Sequence, residues 1–183
     1  MIETERLSLR SWRAQDRGPF VQLCQSPTVM AFLGGPVRAD QADAAIARAR
    51  ACEDRNGFCF WVMERKADGA FLGFCGFKVT DVSGTPLVGE IEIGWRLRED
   101  KWGRGYAREA ALATLRWGWA NLDARRVIAM TVPANRRSWG LMERVGMTHR
   151  PELDFGHPLF PGNHPLHHHL VYALDRPGLQ AAV

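Results

Sequence analysis

The sequence predicts a single α/β domain over residues 1–183, with a mixed, mostly antiparallel central sheet flanked by helices. The chain of 183 residues has the length of one ordinary domain. Its middle third alternates apolar runs with turn signals, which is typical of an antiparallel meander. Its second half alternates helical periodicity with β-branched runs. The predicted order is β-α-α-β-β-β-α-β-α-β-β, with no internal repeat and no linker.

Composition and charge exclude several classes of protein. Hydrophobic residues make up 46% and charged residues 24%, which excludes disordered, collagen-like and disulfide-rich chains. The 24 Lys+Arg exceed the 20 Asp+Glu, but the arginines are scattered and form no dense basic tract. Such a mild excess fits a small phosphate-bearing ligand at least as well as a nucleic acid, and we expect no nucleic-acid partner.

The apolar runs, the N-terminus and the cysteines together predict the cellular location. No apolar run reaches the ~20 residues of a membrane helix, and the N-terminus is charged where a signal peptide is apolar. The four cysteines form no C-x-x-C pair, which favours reduced thiols. We expect a cytoplasmic protein with no membrane partner.

The first third of the chain predicts one strand and two helices. The strand falls at 6–12, and the helices at 14–25 and 41–55. Pro27 follows the first helix and breaks it. Asp40 can cap the second helix, with Asp43 three residues on, close to the capping-box pattern. Gly57 ends that helix.

The rest of the chain predicts a meander followed by alternating elements. Strands are expected at 58–63, 71–79 and 88–97, a helix at 106–121, a strand at 127–132, a helix after residue 135, and strands at 147–150 and 167–174. Asp68-Gly69 is a hairpin turn signal. Asn135 follows a proline-stopped strand and can cap the next helix.

The segment from Gly103 to Ala107 carries the clearest chemical signal. A strand ends, two glycines allow a tight turn, and a helix begins at once. Unpaired N–H groups at a helix N-terminus form an anion site suited to a pyrophosphate. Arg104 and Arg108 add positive charge. The loop lacks the G-K-[ST] of a Walker loop and the G-x-G-x-x-G of dinucleotide folds.

Longer motifs resemble a known family. The run EIEIGWRLREDKWGRGYAREAALATLRWGW, followed by TVPANRRSWGLMERVGM, resembles the GNAT superfamily of acetyl-CoA-dependent N-acetyltransferases. The opening TERLSLRSW and the ending HHLVYAL resemble in particular the ribosomal-protein alanine N-acetyltransferase (RimJ/RimL) branch. The resemblance covers nearly the whole chain. It implies acetyl-CoA as cosubstrate, no metal, and a sheet that splays at the cofactor site.

The resemblance implies which residues hold acetyl-CoA. The family's phosphate loop, [Q/R]-x-x-G-x-[G/A], falls on Trp102, Gly105 and Ala107, with Trp102 in place of the usual Gln or Arg. Asn135 matches a residue that contacts the pantetheine or the thioester region. The backbone amides that would hold the pyrophosphate belong to Gly103, Arg104, Gly105, Tyr106 and Ala107, and the strand that would pair with the pantetheine arm carries Trp95, Arg96 and Leu97.

Two carboxylates are candidates for acid–base chemistry. Glu90 and Glu92 are two residues apart on a predicted strand and so share one side. Carboxylates on a central strand are costly to bury without a purpose. Glu92 resembles the general base of several superfamily members. The alternative, a structural carboxylate paired with an arginine, stays open.

Ser138 is the second candidate catalytic residue. In the resembled branch this serine is a candidate proton donor or amide-orienting group. Its hydroxyl bonding back to a helix carbonyl is the alternative. The tyrosine that many superfamily members use as general acid falls at Met142, so water or Ser138 would serve. Cys59 and Cys75 are expected away from the cofactor strand, which argues against a thiol nucleophile.

The sequence thus predicts an N-acetyltransferase acting by direct transfer to a primary amine in a ternary complex. The acceptor would be a protein N-terminus or a small amine, in a pocket shaped by the loop at 151–165. The protein would be a monomer or a homodimer. A catalytically inactive acyl-CoA-binding module is the alternative. His167 and His169 would share a strand face, but a third metal ligand would have to be His164 or a distant residue, and we expect no metal.

Overall fold

A mixed sheet forms the centre of the molecule, and the computed structural model describes residues 1–178. Its strands are β1 (Ile2–Glu3), β2 (Leu7–Arg10), β3 (Phe60–Arg65), β4 (Phe71–Val79), β5 (Ile91–Leu97), β6 (Arg126–Thr131), β7 (Thr148–His149), β8 (Phe155–Gly156) and β9 (His168–Asp175). They are adjacent in the order β1-β2-β3-β4-β5-β6-β9-β7, with β8 paired to the start of β9. Only β5 and β6 are parallel, so the predicted mostly antiparallel sheet is confirmed.

Helices cover both faces of this sheet. They are α1 (Arg17–Gln25), α2 (Pro27–Met30), α3 (Ala39–Asn56), α4 (Tyr106–Asn121) and α5 (Arg136–Arg144). Successive residues of β4 point to opposite layers: the Phe74 ring lies 6.2 Å from the ring of Phe20 on α1, whereas the Cys75 thiol lies 3.6 Å from Thr114 on α4. Among the helices of residues 1–178, none combines the length and apolar character of a membrane span.

The sheet opens between β5 and β6. Their parallel pairing ends with Glu92 opposite Ile128. Beyond that pair, β5 continues to Leu97 along β4, and β6 continues to Thr131 along β9. The two strands therefore diverge and leave a cleft, as the family resemblance implies.

Helix α3 begins differently from the prediction. Arg38, not Asp40, is its N-cap residue, and the Arg38 amide donates to Gln41 Oε1 at 2.9 Å. The Arg38 guanidinium engages the Asp40 carboxylate at 2.9 Å, so Asp40 lies in the first turn, where its charge suits the helix dipole. The predicted pairing of Asp40 with Asp43 in a capping box is therefore wrong. Gly57 ends the helix at φ +74°, as predicted.

Three short elements, β1, β8 and α2, were not predicted. Each spans two to four residues, too few for a periodic pattern. Pro27 begins α2 instead of only ending α1, because its fixed φ suits the first turn of a helix. Ser26 Oγ accepts a hydrogen bond from the Val29 amide at 3.3 Å and caps that turn.

A buried ion cluster ties β2 to the start of α1 and to β3. Arg10, only 4% exposed, donates from Nη1 and Nη2 to the two carboxylate oxygens of Asp16 at 2.8 and 2.9 Å. Its Nε donates to Glu64 Oε2 at 2.8 Å. Because these charges have lost most of their water, the loss of one partner leaves another unpaired in the interior.

Asp16→Ala should lower the free energy of unfolding by roughly 3 kcal/mol, because it leaves the Arg10 guanidinium buried with Glu64 as its one remaining carboxylate partner within residues 1–178. Urea unfolding measures the change. Asp40→Ala removes an exposed carboxylate and should barely move the midpoint. Equal shifts in the two variants would show that the cluster has no special weight.

Candidate active site

Two helices begin at the open end of the cleft. β5 leads through the turn Glu99–Lys101 and a short loop into α4, and β6 leads into α5. The guanidinium of Arg137, on the first turn of α5, lies 4.7 Å over the Trp102 ring in the loop before α4. The helix starts are therefore neighbours, at the carboxyl ends of two diverging parallel strands, where α/β sheets commonly bind ligands.

The loop before α4 has a backbone shape that glycine adopts readily. Gly103 has φ +71° and Gly105, the N-cap residue of α4, has φ +80°. The backbone N–H groups from Gly103 to Arg108 donate to no acceptor within residues 1–178, and residues 103–105 are exposed. Unpaired amides at the positive end of a helix form an anion site.

Arg6 holds this loop in place, a role that sequence reasoning missed. Its Nη1 donates to the Arg104 carbonyl oxygen at 3.0 Å, and its Nε donates to Glu109 Oε2 at 2.7 Å. Burial by itself would raise the pKa of Glu109, but hydrogen bonds from Thr4 and Arg6 lower it overall. The Arg6 guanidinium also covers the buried Tyr106 ring at 4.7 Å, so Tyr106 offers the anion site its amide and not its ring.

Trp102 fixes the loop to the end of β5. Its Nε1 donates to the Leu97 carbonyl oxygen at 3.0 Å. Trp102 stands where the resemblance expects Gln or Arg, and its indole N–H points to the strand. The polar edge of the indole is thus used to position the loop.

Glu92 lies at the closed end of the cleft. Its side chain is 12% exposed, and its Oε2 lies 3.1 Å from Lys78 Nζ on β4. That separation makes an ion pair, but Oε2 is buried and has no hydrogen bond of good geometry. Burial raises the pKa of Glu92, and the charge of Lys78 opposes that rise. The alternative role for Glu92 is a structural pairing with an arginine, but its partner in the structure is Lys78. A carboxylate with a raised pKa beside a cleft can accept a proton.

Glu90 has a different setting. β5 begins at Ile91, so Glu90 lies on the turn before the strand, where its amide donates to the Leu87 carbonyl. Arg126 donates to Glu90 Oε1 from Nη2 at 2.7 Å and from Nε at 3.1 Å. The prediction that Glu90 shares a strand with Glu92 is wrong, because that turn interrupts the extended backbone.

Polar groups after β6 line the other side of the cleft entrance. Asn135 does not cap α5 with its side chain, contrary to the expectation; its Nδ2 donates to Thr131 Oγ1 at 3.0 Å. Ser138 is half-buried on the first turn of α5, and its hydroxyl makes no hydrogen bond to any atom of residues 1–178, a helix carbonyl included. Met142 is buried in the core.

The thiols are poor candidates for chemistry. Cys75 pairs directly with Trp95 of β5, so the expectation that it lies away from the cofactor strand is wrong. It points to the opposite layer, toward Thr114, and burial raises the pKa of Cys75 to about 12. Such a thiol stays protonated and unreactive.

The histidines near β9 serve packing. β9 begins at His168, so His167 precedes the strand, and its Nδ1 lies 2.8 Å from the Phe160 carbonyl oxygen. His149 pairs with Asp154 at 3.0 Å. Within the part of the chain that the structure describes, no three His, Cys, Asp or Glu side chains form a metal-binding group.

The loop before β9 approaches the catalytic candidate. Phe155 stacks on His169 with centroids 5.3 Å apart, and His157 lies 4.9 Å from the same ring. Burial lowers the pKa of His157, and the nearby charge of Lys78 lowers it further. The loop thus lies near enough to Lys78, the partner of Glu92, for that charge to act on His157.

Comparison with known proteins decides the family. The model of the acetyltransferase (GNAT) domain matches residues 6–148. The chain belongs to the GNAT acetyltransferase family. It is similar to the uncharacterized N-acetyltransferase YnaD of Bacillus subtilis (strain 168), with 39% identity over 148 residues, 80% of this chain and 81% of that one.

Solved structures agree with this assignment. The crystal structure of an acetyltransferase from Agrobacterium tumefaciens str. C58 is 29% identical, with a TM-score of 0.77 and 95% and 93% of the two chains covered. The ribosomal-protein-S5-alanine acetyltransferase from Vibrio fischeri shares the fold at 14% identity, with a TM-score of 0.71 and 97% of each chain covered. As a GNAT protein, this chain is an acyl-CoA-dependent acetyltransferase, as predicted.

Gly105→Ala should lower the free energy of unfolding by about 1 kcal/mol, because a side chain is strained at φ +80°. A Cβ there would also lie 3.4 Å from Arg6 Nη2. Urea unfolding measures the loss. Gly18→Ala, in α1 with nothing within 4 Å of a Cβ, should be neutral or stabilising. If both variants gain stability, the loop does not need its left-handed residue.

Proposed function

We propose that this GNAT protein transfers the acetyl group of acetyl-CoA to a primary amine by direct attack in a ternary complex. The main support for this proposal is that one cleft has an anion-binding loop at its open end and a buried carboxylate, Glu92, at its closed end. The two ends are separated by the six-residue run from Glu92 to Leu97, whose five steps span about 17 Å of extended strand. A long ligand with phosphates at one end and a reactive group at the other fits this spacing.

The phosphates would bind at the start of α4. The amides proposed to hold the pyrophosphate are those of Gly103, Arg104, Gly105, Tyr106 and Ala107. Exposed guanidinium groups at the two helix starts would add charge-assisted contacts; they belong to Arg104, Arg108, Arg136 and Arg137. The loop fits a pyrophosphate because its N–H groups have no internal acceptor.

The pantetheine arm would lie along the free edge of β5. This edge, over Trp95, Arg96 and Leu97, faces away from β4 and has lost β6 as a partner, although Trp102 Nε1 occupies the Leu97 carbonyl oxygen. Pantetheine contains two amides, which can pair with an unpaired strand edge as a peptide would. Asn135 Oδ1 would accept a hydrogen bond from an amide N–H of the arm, since Asn135 Nδ2 already donates to Thr131 Oγ1.

Proton transfer is assigned to two side chains. Acetyl-CoA supplies a thioester whose carbonyl carbon a neutral amine can attack. Glu92 would take the proton of the attacking amine, directly or through a water. Ser138 would donate a proton to the departing thiolate, because its hydroxyl is uncommitted and Met142 replaces the tyrosine expected from the resemblance.

The acceptor is proposed to be a protein N-terminal amine or a small-molecule amine in the cytoplasm. The RimJ/RimL-like motifs and the fold shared with the Vibrio fischeri enzyme support a protein N-terminus. A turnover assay with acetyl-CoA and a panel of N-terminal peptides and small amines, read by thiol release, tests the function. The same preparation run on a sizing column distinguishes a monomer from a homodimer.

Acetyl-CoA should stabilise the fold. At ~100 times its Kd the ligand should add about 2.7 kcal/mol, seen as a rise in Tm. S-acetylpantetheine, which lacks the pyrophosphate, should give a much smaller rise, and salt should weaken the binding of acetyl-CoA.

Gly105→Glu tests the loop directly. It should weaken acetyl-CoA binding at least tenfold by calorimetry, because it places a negative side chain beside the phosphates. Gly69→Glu, at φ +68° in the β3–β4 turn, carries similar strain and charge and should bind normally. Unchanged affinity for acetyl-CoA in Gly105→Glu would show that the phosphates do not bind at this loop.

Glu92→Gln should lower kcat by ~10²–10⁴-fold with acetyl-CoA affinity nearly unchanged. Because burial raises the pKa of Glu92, the wild-type rate should rise with pH through an inflection above the ordinary value of a glutamate. Below that inflection the carboxyl is protonated and cannot accept a proton. The variant should lose the rise, and pH–rate profiles measure it.

Glu90→Gln provides the matched control. It removes an equivalent charge from the pair with Arg126, outside the cleft, and should retain both the rate and the pH profile. If the two variants behave alike, or if Glu92→Gln chiefly lowers Tm, Glu92 is structural and the base is a water.

A further inference from the structure

The charge of Arg96 is unexplained by the fold. The guanidinium is largely buried, and within residues 1–178 no carboxylate lies within ion-pair distance of it. Its contacts are Cys24 Sγ, 3.6 Å from Nη1, and the face of the Phe74 ring, 5.3 Å from Cζ. A thiol is a weak acceptor and a phenyl face recovers part of the lost hydration. A buried cation with these neighbours is costly.

One edge of the guanidinium has no hydrogen-bond partner in the described part of the chain. Nε is buried without a hydrogen-bond partner, and Nη2 makes no hydrogen bond to residues 1–178 and is not fully buried. Nε and Nη2 together form the edge that binds a carboxylate through two parallel bonds. The same edge of Arg98, two residues along the chain, holds Asp100 at 3.0 and 3.3 Å.

The Nε–Nη2 edge of Arg96 lies on the same face of β5 as the catalytic candidate, Glu92. Every second residue of a strand faces the same side, and on a regular stretch of β5 these are Glu92, Gly94 and Arg96. The Cα atoms of Glu92 and Arg96 are about 13 Å apart by strand geometry. This face is the layer of α1, which carries Cys24, whereas α4 covers the opposite face.

Unsatisfied groups concentrate at this strand pair. Within residues 1–178, the buried side-chain atoms without a hydrogen-bond partner are Thr80 Oγ1, Glu92 Oε2 and Arg96 Nε. Thr80 directly follows β4, and the other two lie on β5. Native structures contain few such atoms, and each requires an explanation. A bound molecule that is basic at one end and acidic at the other would satisfy the two charged groups together.

We propose that the Nε–Nη2 edge of Arg96 binds a carboxylate of the acceptor, so that the preferred acceptor is a primary amine bearing a carboxylate at a distance from its amine. The inference rests on the proposed function, because it places that amine near Glu92. The carboxylate belongs to a small amino acid or to an acidic side chain near a peptide N-terminus. Both sources present the same planar anion.

Kinetics with matched acceptors tests the recognition. One series contains ω-amino acids of increasing length, from glycine to 6-aminohexanoate, each with its carboxamide. A second contains C-terminally amidated tripeptides with Glu or Gln at the second position. In the wild type, the carboxylate member of the better series should have a lower KM than its neutral twin, and the better series identifies the source.

Variants at Arg96 locate the contact. Arg96→Gln should raise KM for carboxylate acceptors roughly ten- to hundred-fold relative to their neutral twins, because it removes the charged edge and keeps the main chain of β5. Arg96→Lys should recover part of the preference. Arg98→Gln, whose guanidinium is engaged by Asp100, should retain it. Equal losses for both members of a pair, or a weakened Kd for acetyl-CoA in Arg96→Gln, would overturn the proposal.

Stability gives a readout that does not need activity. Arg96→Met retains the volume of the stem and removes a buried, unpaired charge, so its Tm should match or exceed that of the wild type. A large fall in Tm would show that the side chain is structural and overturn the proposal. If acetyl-CoA binds but no amine in either series is acetylated, the proposed function fails, whatever the Tm of Arg96→Met.

Discussion

The site depends on a single constraint, the early end of the parallel pairing between β5 and β6. After Glu92 and Ile128 the strands separate while each keeps its outer partner. The cleft edge of β5 is thereby left with free main-chain groups inside the molecule, which a ligand can use. Because the two strands are parallel, the helices that follow both begin at the open end, and their positive ends meet there. A continuous sheet would have bridged this space.

Contacts distant in sequence hold the shape of that opening. Arg6 reaches the loop before α4 from the first residues of the chain and binds Glu109 on the helix itself. Arg137 covers Trp102 and joins the start of α5 to the same loop. The Arg10 cluster fixes the start of α1 against the sheet. The amides at the cleft are thus exposed backbone groups on a rigid base, the arrangement that binding an anion without reorganisation requires.

The sequence predicted the features that depend on local pattern and missed those that depend on competition between side chains. The bounds of β4 and α4 agree with the prediction, because long periodic runs decide them. The cap of α3 did not follow, since Arg38 binds Asp40 and Gln41 caps instead. Asn135 likewise prefers Thr131 to the helix end. Arg6 could not be found by spacing, because its partners lie about a hundred residues away, 98 and 103 positions along the chain.

The buried charges on β5 indicate why this strand differs from the rest of the core. Arg10 shows how the fold treats a buried arginine that serves stability: two carboxylates surround it and every edge of its guanidinium is bonded. Arg96 receives a thiol and an aromatic ring. Both arginines belong to one sheet, so the difference cannot come from the burial of arginine as such. A chain able to neutralise Arg10 so fully has, within residues 1–178, left Arg96 without a carboxylate, on the face of β5 where Glu92 is paired only with Lys78. An acceptor that carries a carboxylate as well as an amine would supply the missing partner of Arg96.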